Sequence, residues 1–454
     1  MARRKKNSNI QIDYNTWILL IVCILFYLSF CFVFGVYLSP DSEGYIAMIS
    51  AREPVYPLLL AFFRKLFGEE NYLKIVILFQ NIQMALAVWL LVVFMKRRYF
   101  LTNTLVYVLL GIHFGVACLC QFAAGRSSIY TNSILTEGIT MSLWLFFVLA
   151  VLYLLETKRL IYEVIALALA AIMMDTRKQM AIAYLVLFAV LLLFRIGEEK
   201  YWKKMGISLG LICISLLLAL GGNRLYNYSL RGEFAQNTRD MNLVLTTSLY
   251  VADREDADLI EEENVRTLFL QVYDLLDAKE CNYKYAQEGW RNLESHYGAH
   301  YDMITIETTQ DLFPEYARSL GFAEGMEAEQ EADRMSKVIV RSLLKDNFVT
   351  YAKVYFASMG NGFVNTVAKK GTLFDAYALV AYLVYLILLA ICFHRRDTRD
   401  VAWMGLTVFI CIVVNVGVTA ALIFCQTRYM IYNMALFYMA LLIMGFCIIR
   451  NKED

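Results

Sequence analysis

The sequence predicts an all-α polytopic membrane protein with about ten transmembrane helices and a mostly helical extracytoplasmic segment before the last three spans. Three observations carry this prediction. Hydrophobic residues make up 59% of the 454-residue chain and charged ones only 18%, with a mean hydropathy of +0.51, far more apolar than a soluble globular domain. Uncharged apolar stretches recur along the chain, several reaching the roughly 20 residues that cross about 30 Å of hydrocarbon as a helix. No alternating β-barrel pattern is present, so helices must satisfy the backbone inside lipid.

In chain order the stretches lie at about 17–38, 73–95, 101–120, 134–155, 160–174, 179–195, 205–221, 375–393, 401–424 and 429–449, the fifth and sixth being short. Basic residues orient them. Arg3, Arg4, Lys5 and Lys6 precede the first span, and Lys96 to Arg98, Lys158 with Arg159, Lys203 with Lys204, and Arg395, Arg396 and Arg399 mark every second loop thereafter, which makes these faces cytoplasmic. Both termini are then inside a cytoplasmic (plasma) membrane, and the first span reads as an uncleaved signal anchor. Residues 39–72, 121–133, 175–178, 222–374 and 425–428 fall outside.

Three parts follow from this layout. Residues 1–221 form an N-terminal transmembrane module with the candidate chemistry on its first outer loop, 39–72. Residues 222–374 form the extracytoplasmic helical segment, and 375–454 a C-terminal transmembrane module. Within the segment, DREDADLIEEENVRTLFLQVYDLLDAK places acids early and apolar residues at helical spacing later. Its 24 acids against 16 Lys plus Arg argue against nucleic acid as a partner. LLKDNFVTYAKVYFASMGNGFV reads as an amphipathic helix returning to the membrane surface. Only Cys281 of the ten cysteines lies in this segment, so no disulfide within it can hold it together.

The first outer loop contains DSEGYIAMISAREPVYPLLL, residues 41 to 60, and three of the four prolines (Pro40, Pro54 and Pro57) sit in or beside it. Asp41, Glu43, Tyr45 and Arg52 make a polar cluster next to this stiffened turn, as a preorganised site requires. Outer loops should be poor in Lys and Arg, yet Arg52, Arg126, Arg177 with Lys178, and Arg428 are kept there. Each alone reads as a snorkelling interfacial anchor. As a set at one depth they suit a phosphate, whose oxygens match planar guanidinium forks, and a lipid phosphate is the obvious anion there. Acids recur at this level in Asp41, Glu137 and Asp175. A carboxylate beside an acceptor hydroxyl can serve as general base. For Glu137 the bland alternative is favourable placement at a helix N-terminus, and for Asp175 a local ion pair with Arg177.

P-loop, GxGxxG and HExxH signatures are missing. His296 and His300 have an i,i+4 spacing that could ligate metal, but Gly298 between them weakens the helix, and surface histidines are the default reading.

Four elements together resemble the GT-C-fold glycosyltransferases, in particular the protein mannosyltransferase and aminoarabinose transferase type. They are DSEGY after the first span, REPVYPLLL (Arg52 to Leu60), a TE pair opening the fourth span (Thr136, Glu137), and an Arg-Tyr pair opening the last (Arg428, Tyr429). Order and spacing match over roughly the first 195 residues and again over 401–449. The resemblance implies transfer of a sugar from a polyprenyl-phosphate donor to a glycan, lipid or protein acceptor on the outer face, with inversion. Asp41 would be the general base, and Arg428, Arg177 and Arg52 with Tyr429 would hold the donor phosphate. Glu137 and Glu43 would support the acceptor or a divalent metal ion, which some members use, while Tyr45, Pro54, Tyr56 and Pro57 would shape the loop into a shelf on the membrane. No cofactor is otherwise implied. A lipid-linked glycan polymerase or ligase, or a non-enzymatic glycolipid carrier or flippase, is the alternative. A polymerase would depend on the large external segment rather than on Asp41.

Overall fold

The computed structural model describes residues 14–123, 129–239, 241–368 and 372–450. The basic residues at 3–6 and Arg126, read above as topology and anion signals, lie outside them. Among the described residues nineteen α-helices are connected by short turns, and the only β pairing is an isolated bridge between Tyr37 and Ser133. The chain is a multi-pass membrane protein.

The first half of the bundle runs α1 (Tyr14–Phe34), α2 (Ser42–Ile46), α3 (Val55–Phe67), α4 (Tyr72–Tyr99), α5 (Asn103–Ala123), α6 (Glu137–Thr157), α7 (Leu160–Met174), α8 (Ile182–Phe194) and α9 (Tyr201–Arg231). α1 stops where Gly35 takes a left-handed φ of 63°, a conformation that costs glycine little. α4 closes on Lys96, Arg97 and Arg98, whose charges complement its C-terminal dipole. α4 and α6 form the middle of this half: α4 packs on α1 and α6, and α6 on α7, which in turn meets α9.

Among the described residues seven helices are long and apolar enough to cross a membrane: α1, α4, α6, α9 and the stretches Leu373–His394, Arg396–Leu422 and Thr427–Arg450. Length and composition of the described residues thus support seven of the about ten expected spans. The remaining three stretches are apolar over fewer described residues: Asn103–Leu119 within the 21-residue α5, Leu160–Met174 and Lys178–Phe194. α7, with 15 residues, and α8, with 13, rise only about 22 and 20 Å at 1.5 Å per residue. Their shortness has a local cause, because the polar turn between them is drawn into the bundle to reach partners on α6.

The expected helical segment is a layer of α10 (Asn242–Val251), α11 (Glu263–Ala278), α12 (Trp290–Met303), α13 (Phe313–Ser319), α14 (Met326–Leu343) and α15 (Phe348–Val367). Leu245, Phe269, Phe313, Ile339 and Leu343 are buried inside it. The acidic stretch before α11 starts as a short 3-10 turn closed by a reciprocal Asp253–Asp256 capping box, which satisfies helix-start amides. Gly298 does not break α12: an added Cβ there would lie 3.2 Å from the Phe424 ring, so the glycine is where that ring packs. α12 runs into a wider π-helical stretch, Ile304–Leu312. The chain then returns through α15 to α16 (Thr372–His394), α17 (Arg399–Leu422), α18 (Thr427–Met430) and α19 (Met434–Arg450). α17 packs against α8, α15, α16 and α19, and α19 against α5, so the C-terminal helices close on the N-terminal module.

A second close approach fixes the site's floor. A Cβ on Gly138 of α6 would fall 2.5 Å from the side chain of Gln80 on α4. Gln80 is fully buried, accepts a hydrogen bond from the Tyr56 hydroxyl at 2.9 Å and donates to the carbonyls of Thr131 and Ser133 at 2.9 and 3.2 Å. Gly138→Ala should force this amide out of its bonds and destabilise the protein by roughly 1–3 kcal/mol. Thermal unfolding in detergent tests this, and an unchanged midpoint would mean that Gln80 has room to move.

Candidate functional site

The loop from Ser39 to Pro54 is built to hold one carboxylate still. Asp41 stands at the start of α2, yet its side chain makes no capping bond to that helix. It turns instead to Arg52, at 3.0 Å, and to Arg428, at 3.3 Å. Gly44 permits this, because a Cβ there would lie 2.9 Å from Arg52 Nε. Arg52 also donates to the Tyr45 hydroxyl at 3.3 Å and lies over the Tyr45 ring, 4.4 Å from its centre. Tyr45 packs edge-on against the buried Tyr56. The loop-shaping residues thus form a brace from Arg52 down to Gln80. Pro54 precedes α3 and Pro57 sits in its first turn, both buried.

Other parts of the chain fasten this loop. The Val55 amide donates to the Asp175 carbonyl at 2.9 Å, the Thr238 amide to the Ser50 carbonyl at 3.3 Å, and Asn223 to the Glu53 carboxylate at 2.7 Å. Arg231 donates to the carbonyl of Met48, which has a left-handed φ of 55°, an uncommon conformation for a residue with a side chain.

Glu137 is fully buried, and it is the hub. Arg177 pairs with it at 2.7 Å, Arg428 donates to the same oxygen, and Thr136 donates to the other at 3.2 Å. Arg177 also donates to Thr136 at 3.2 Å and Gln179 at 3.2 Å, and Gln179 in turn donates to Thr419 on α17 at 2.8 Å. The Tyr429 ring lies beneath both guanidiniums, 4.9 Å from Arg177 and 5.8 Å from Arg428. Arg428 therefore bridges Asp41 and Glu137, which the guanidinium fork allows. Three guanidiniums face two carboxylates, a net charge of +1 over these five residues.

Above this cluster opens a cavity of about 1000 Å³, lined by Asp41, Arg52, Arg177 and Arg428 from the bundle and by residues of α12, α15 and the π-helical stretch. The structure thus brings together Asp41, Tyr45, Arg52, Glu137, Arg177, Arg428 and Tyr429. Glu43 is exposed and outside the cavity lining. Both site carboxylates are engaged by guanidiniums, and among the described residues no group of three or more His, Cys, Asp or Glu could hold a metal ion. This donor set does not suit a divalent cation. His296 accordingly meets Tyr250 at 3.0 Å and His300 bonds the His296 carbonyl at 2.9 Å.

Burial pushes the Asp41 carboxyl up, but Arg52 and Arg428 outweigh it and hold the group below the ordinary carboxylate range. It is ionised at neutral pH, and the stability it contributes is present above the unfolded carboxylate pKa and lost as pH falls through its folded value. Asp175 behaves oppositely. Arg177 pairs with Glu137 rather than with it, and burial pushes its carboxyl up to about 7. Folding then disfavours the ionised form, so stability falls as pH rises from about 4 to about 7. Asp175→Asn should therefore leave thermal stability unchanged near pH 4 and raise it near pH 8 by roughly 1–2 kcal/mol, after discounting for solvent screening. Equal midpoints at the two pH values would refute this.

No protein-family model matches the sequence, and no curated protein or solved structure is significantly similar to it.

Proposed function

We propose that the protein transfers a sugar from a polyprenyl-phosphate carrier to an acceptor at the outer face of the membrane, as a GT-C-type glycosyltransferase. The observation that supports this best is the cluster at the cavity floor, where one ionised carboxylate and a surplus guanidinium face the same space. An anion of lipid-phosphate type fits the net positive charge, and Arg428, Arg177 and Arg52 are the residues to hold it, with Tyr429 beneath. Glycan, lipid or protein acceptors would enter from the side covered by the helical layer.

In this reading Asp41 takes the proton of the acceptor hydroxyl as its oxygen bonds to the anomeric carbon. The bond from that carbon to the phosphate oxygen breaks on the opposite face, which inverts the configuration. The polyprenyl phosphate leaves as an anion, so the arginines stabilise charge that grows on it in the transition state. Arg52 and Arg428 otherwise hold Asp41 weakly basic. A bound phosphate competes for both guanidiniums, which loosens their hold on Asp41 and restores its basicity. Glu137, saturated by Arg177, Arg428 and Thr136, acts in this scheme by fixing the arginines rather than by touching the acceptor.

The reading is tested by sugar release from a panel of radiolabelled polyprenyl-phosphate sugars, using membranes that contain the protein together with candidate acceptors. At least one donor should be consumed. If none is touched while a lipid-linked oligosaccharide is elongated, and deletion within 240–340 abolishes that elongation, the polymerase reading replaces this one.

A further inference from the structure

A second polar patch lines the cavity, anchored on a carbonyl only three residues before Arg428 in the chain. Asn361 and Asn365 lie one turn apart on α15, and both donate to the carbonyl of Cys425, at 3.3 and 2.8 Å. Gly362 makes the approach possible, since a Cβ there would sit 2.9 Å from the Cys425 sulfur. Because the Asn365 amide nitrogen is spent on that carbonyl, its Oδ1 cannot change places with it without setting oxygen against oxygen. That Oδ1 has no hydrogen-bond partner although Asn365 is only 4% exposed and lines the cavity. An orphaned buried acceptor calls for an explanation.

Its surroundings supply one. Asn361 donates to Glu294 Oε1 at 2.7 Å, fixing a carboxylate that also lines the cavity. Beside it the Phe424 ring packs on Tyr301, with centres 5.0 Å apart, and both rings line the same space. Phe424 is held by its contact with Gly298. An aromatic face, a fixed carboxylate and an unsatisfied amide oxygen together select a ligand with several hydrogen-bond donors and an apolar face. A cationic ligand is disfavoured by the net positive cluster next door. A hydroxyl-bearing ring meets all the requirements.

We propose that Asn365, Asn361, Glu294 and Phe424 form a carbohydrate subsite, with ring hydroxyls donating to Glu294 and, after a small side-chain shift that uncovers it, to Asn365 Oδ1, and the ring's C–H face lying on Phe424. It deepens the transferase reading by giving a sugar a place next to the phosphate-holding arginines, but rests on separate residues. The ring belongs either to the donor or to the acceptor, and the chemistry is the same.

Saturation-transfer NMR on the full chain in lipid nanodiscs tests it, with methyl glycosides of glucose, mannose, galactose and N-acetylglucosamine as probes. At least one should receive saturation from the wild type. Asn365→Leu and Phe424→Leu should each weaken its binding about tenfold. Should Asn365→Leu fail to fold, Phe424→Leu decides alone. No transfer to any glycoside, or wild-type binding by a folded variant, overturns the proposal. The same samples are run in the sugar-release assay. Glycoside binding without consumption of any donor keeps the subsite and removes the transferase reading. Donor consumption with Asn365→Leu unaffected in binding and turnover does the reverse. A raised KM for the donor alone assigns the ring to the donor, and for the acceptor alone to the acceptor.

Discussion

Asp41→Asn should cut sugar transfer by roughly 10²–10⁴-fold, the loss expected when a positioned general base is removed. Asparagine has nearly the same shape and keeps an oxygen to face Arg52 and Arg428, so the loop should hold. The substitution deletes one negative charge and takes the five-residue cluster from +1 to +2. Donor phosphate should then bind at least as tightly as before. The expected signature is a collapsed kcat with a donor KM that is unchanged or lower, a split that a misfolded protein would not give. Turnover within about threefold of wild type would remove Asp41 from the chemistry.

Arg428→Gln should damage both stability and activity. Arg428 is shared between Asp41 and the fully buried Glu137. Its loss leaves Glu137 with Arg177 as its one remaining guanidinium, so the cost should be roughly 1–3 kcal/mol, below that of a buried charge left wholly unpaired. Sugar transfer should fall by roughly 10²–10³-fold through lost stabilisation of the leaving phosphate. Arg428→Lys should rescue little, because a single ammonium on a flexible stem does not reproduce a fork that spans two carboxylates. Adding Glu137→Gln to Arg428→Gln should lower stability further, since Arg177 then loses its buried counter-charge, and should not return activity. Thermal unfolding and turnover of the three variants check this, and full activity in Arg428→Lys would sink the bridging role.

Much of the floor of this site was legible in the sequence, because charge beside a membrane span is costly enough to stand out. Asp41, Arg52, Arg177 and Arg428 were visible for that reason, and Pro54 and Pro57 for their stiffness. The role of Glu137 was not. A carboxylate in the first turn of a helix reads as dipole placement, and only the fold shows that Arg177 and Arg428, at 40 and 291 residues' distance, converge on it. Gln80 and Gly138 were missed because a lone polar residue and a lone glycine in an apolar run have ordinary explanations. The Asn361, Asn365 and Phe424 wall was hidden for a related reason: two asparagines one turn apart are unremarkable on an amphipathic helix, and the carbonyl they share lies about sixty residues on. The fifth and sixth stretches, read as short from their run length, are α7 and α8, with 15 and 13 residues on either side of a polar turn.

The ion pair between Asp41 and Arg428 joins residues 387 positions apart. Its consequence belongs to biogenesis. While the chain is being synthesised and inserted, the first loop, α6 and the 175–181 turn are all present long before residue 428. Through that interval Asp41 has only Arg52, Glu137 has only Arg177, and the pocket has one wall missing. The last two helices therefore bring the surplus positive charge that the earlier ones lack. A chain that stops before residue 428 inserts most of its spans yet leaves each of the two acids with a single guanidinium and the pocket open on the side that Arg428 and Tyr429 would close.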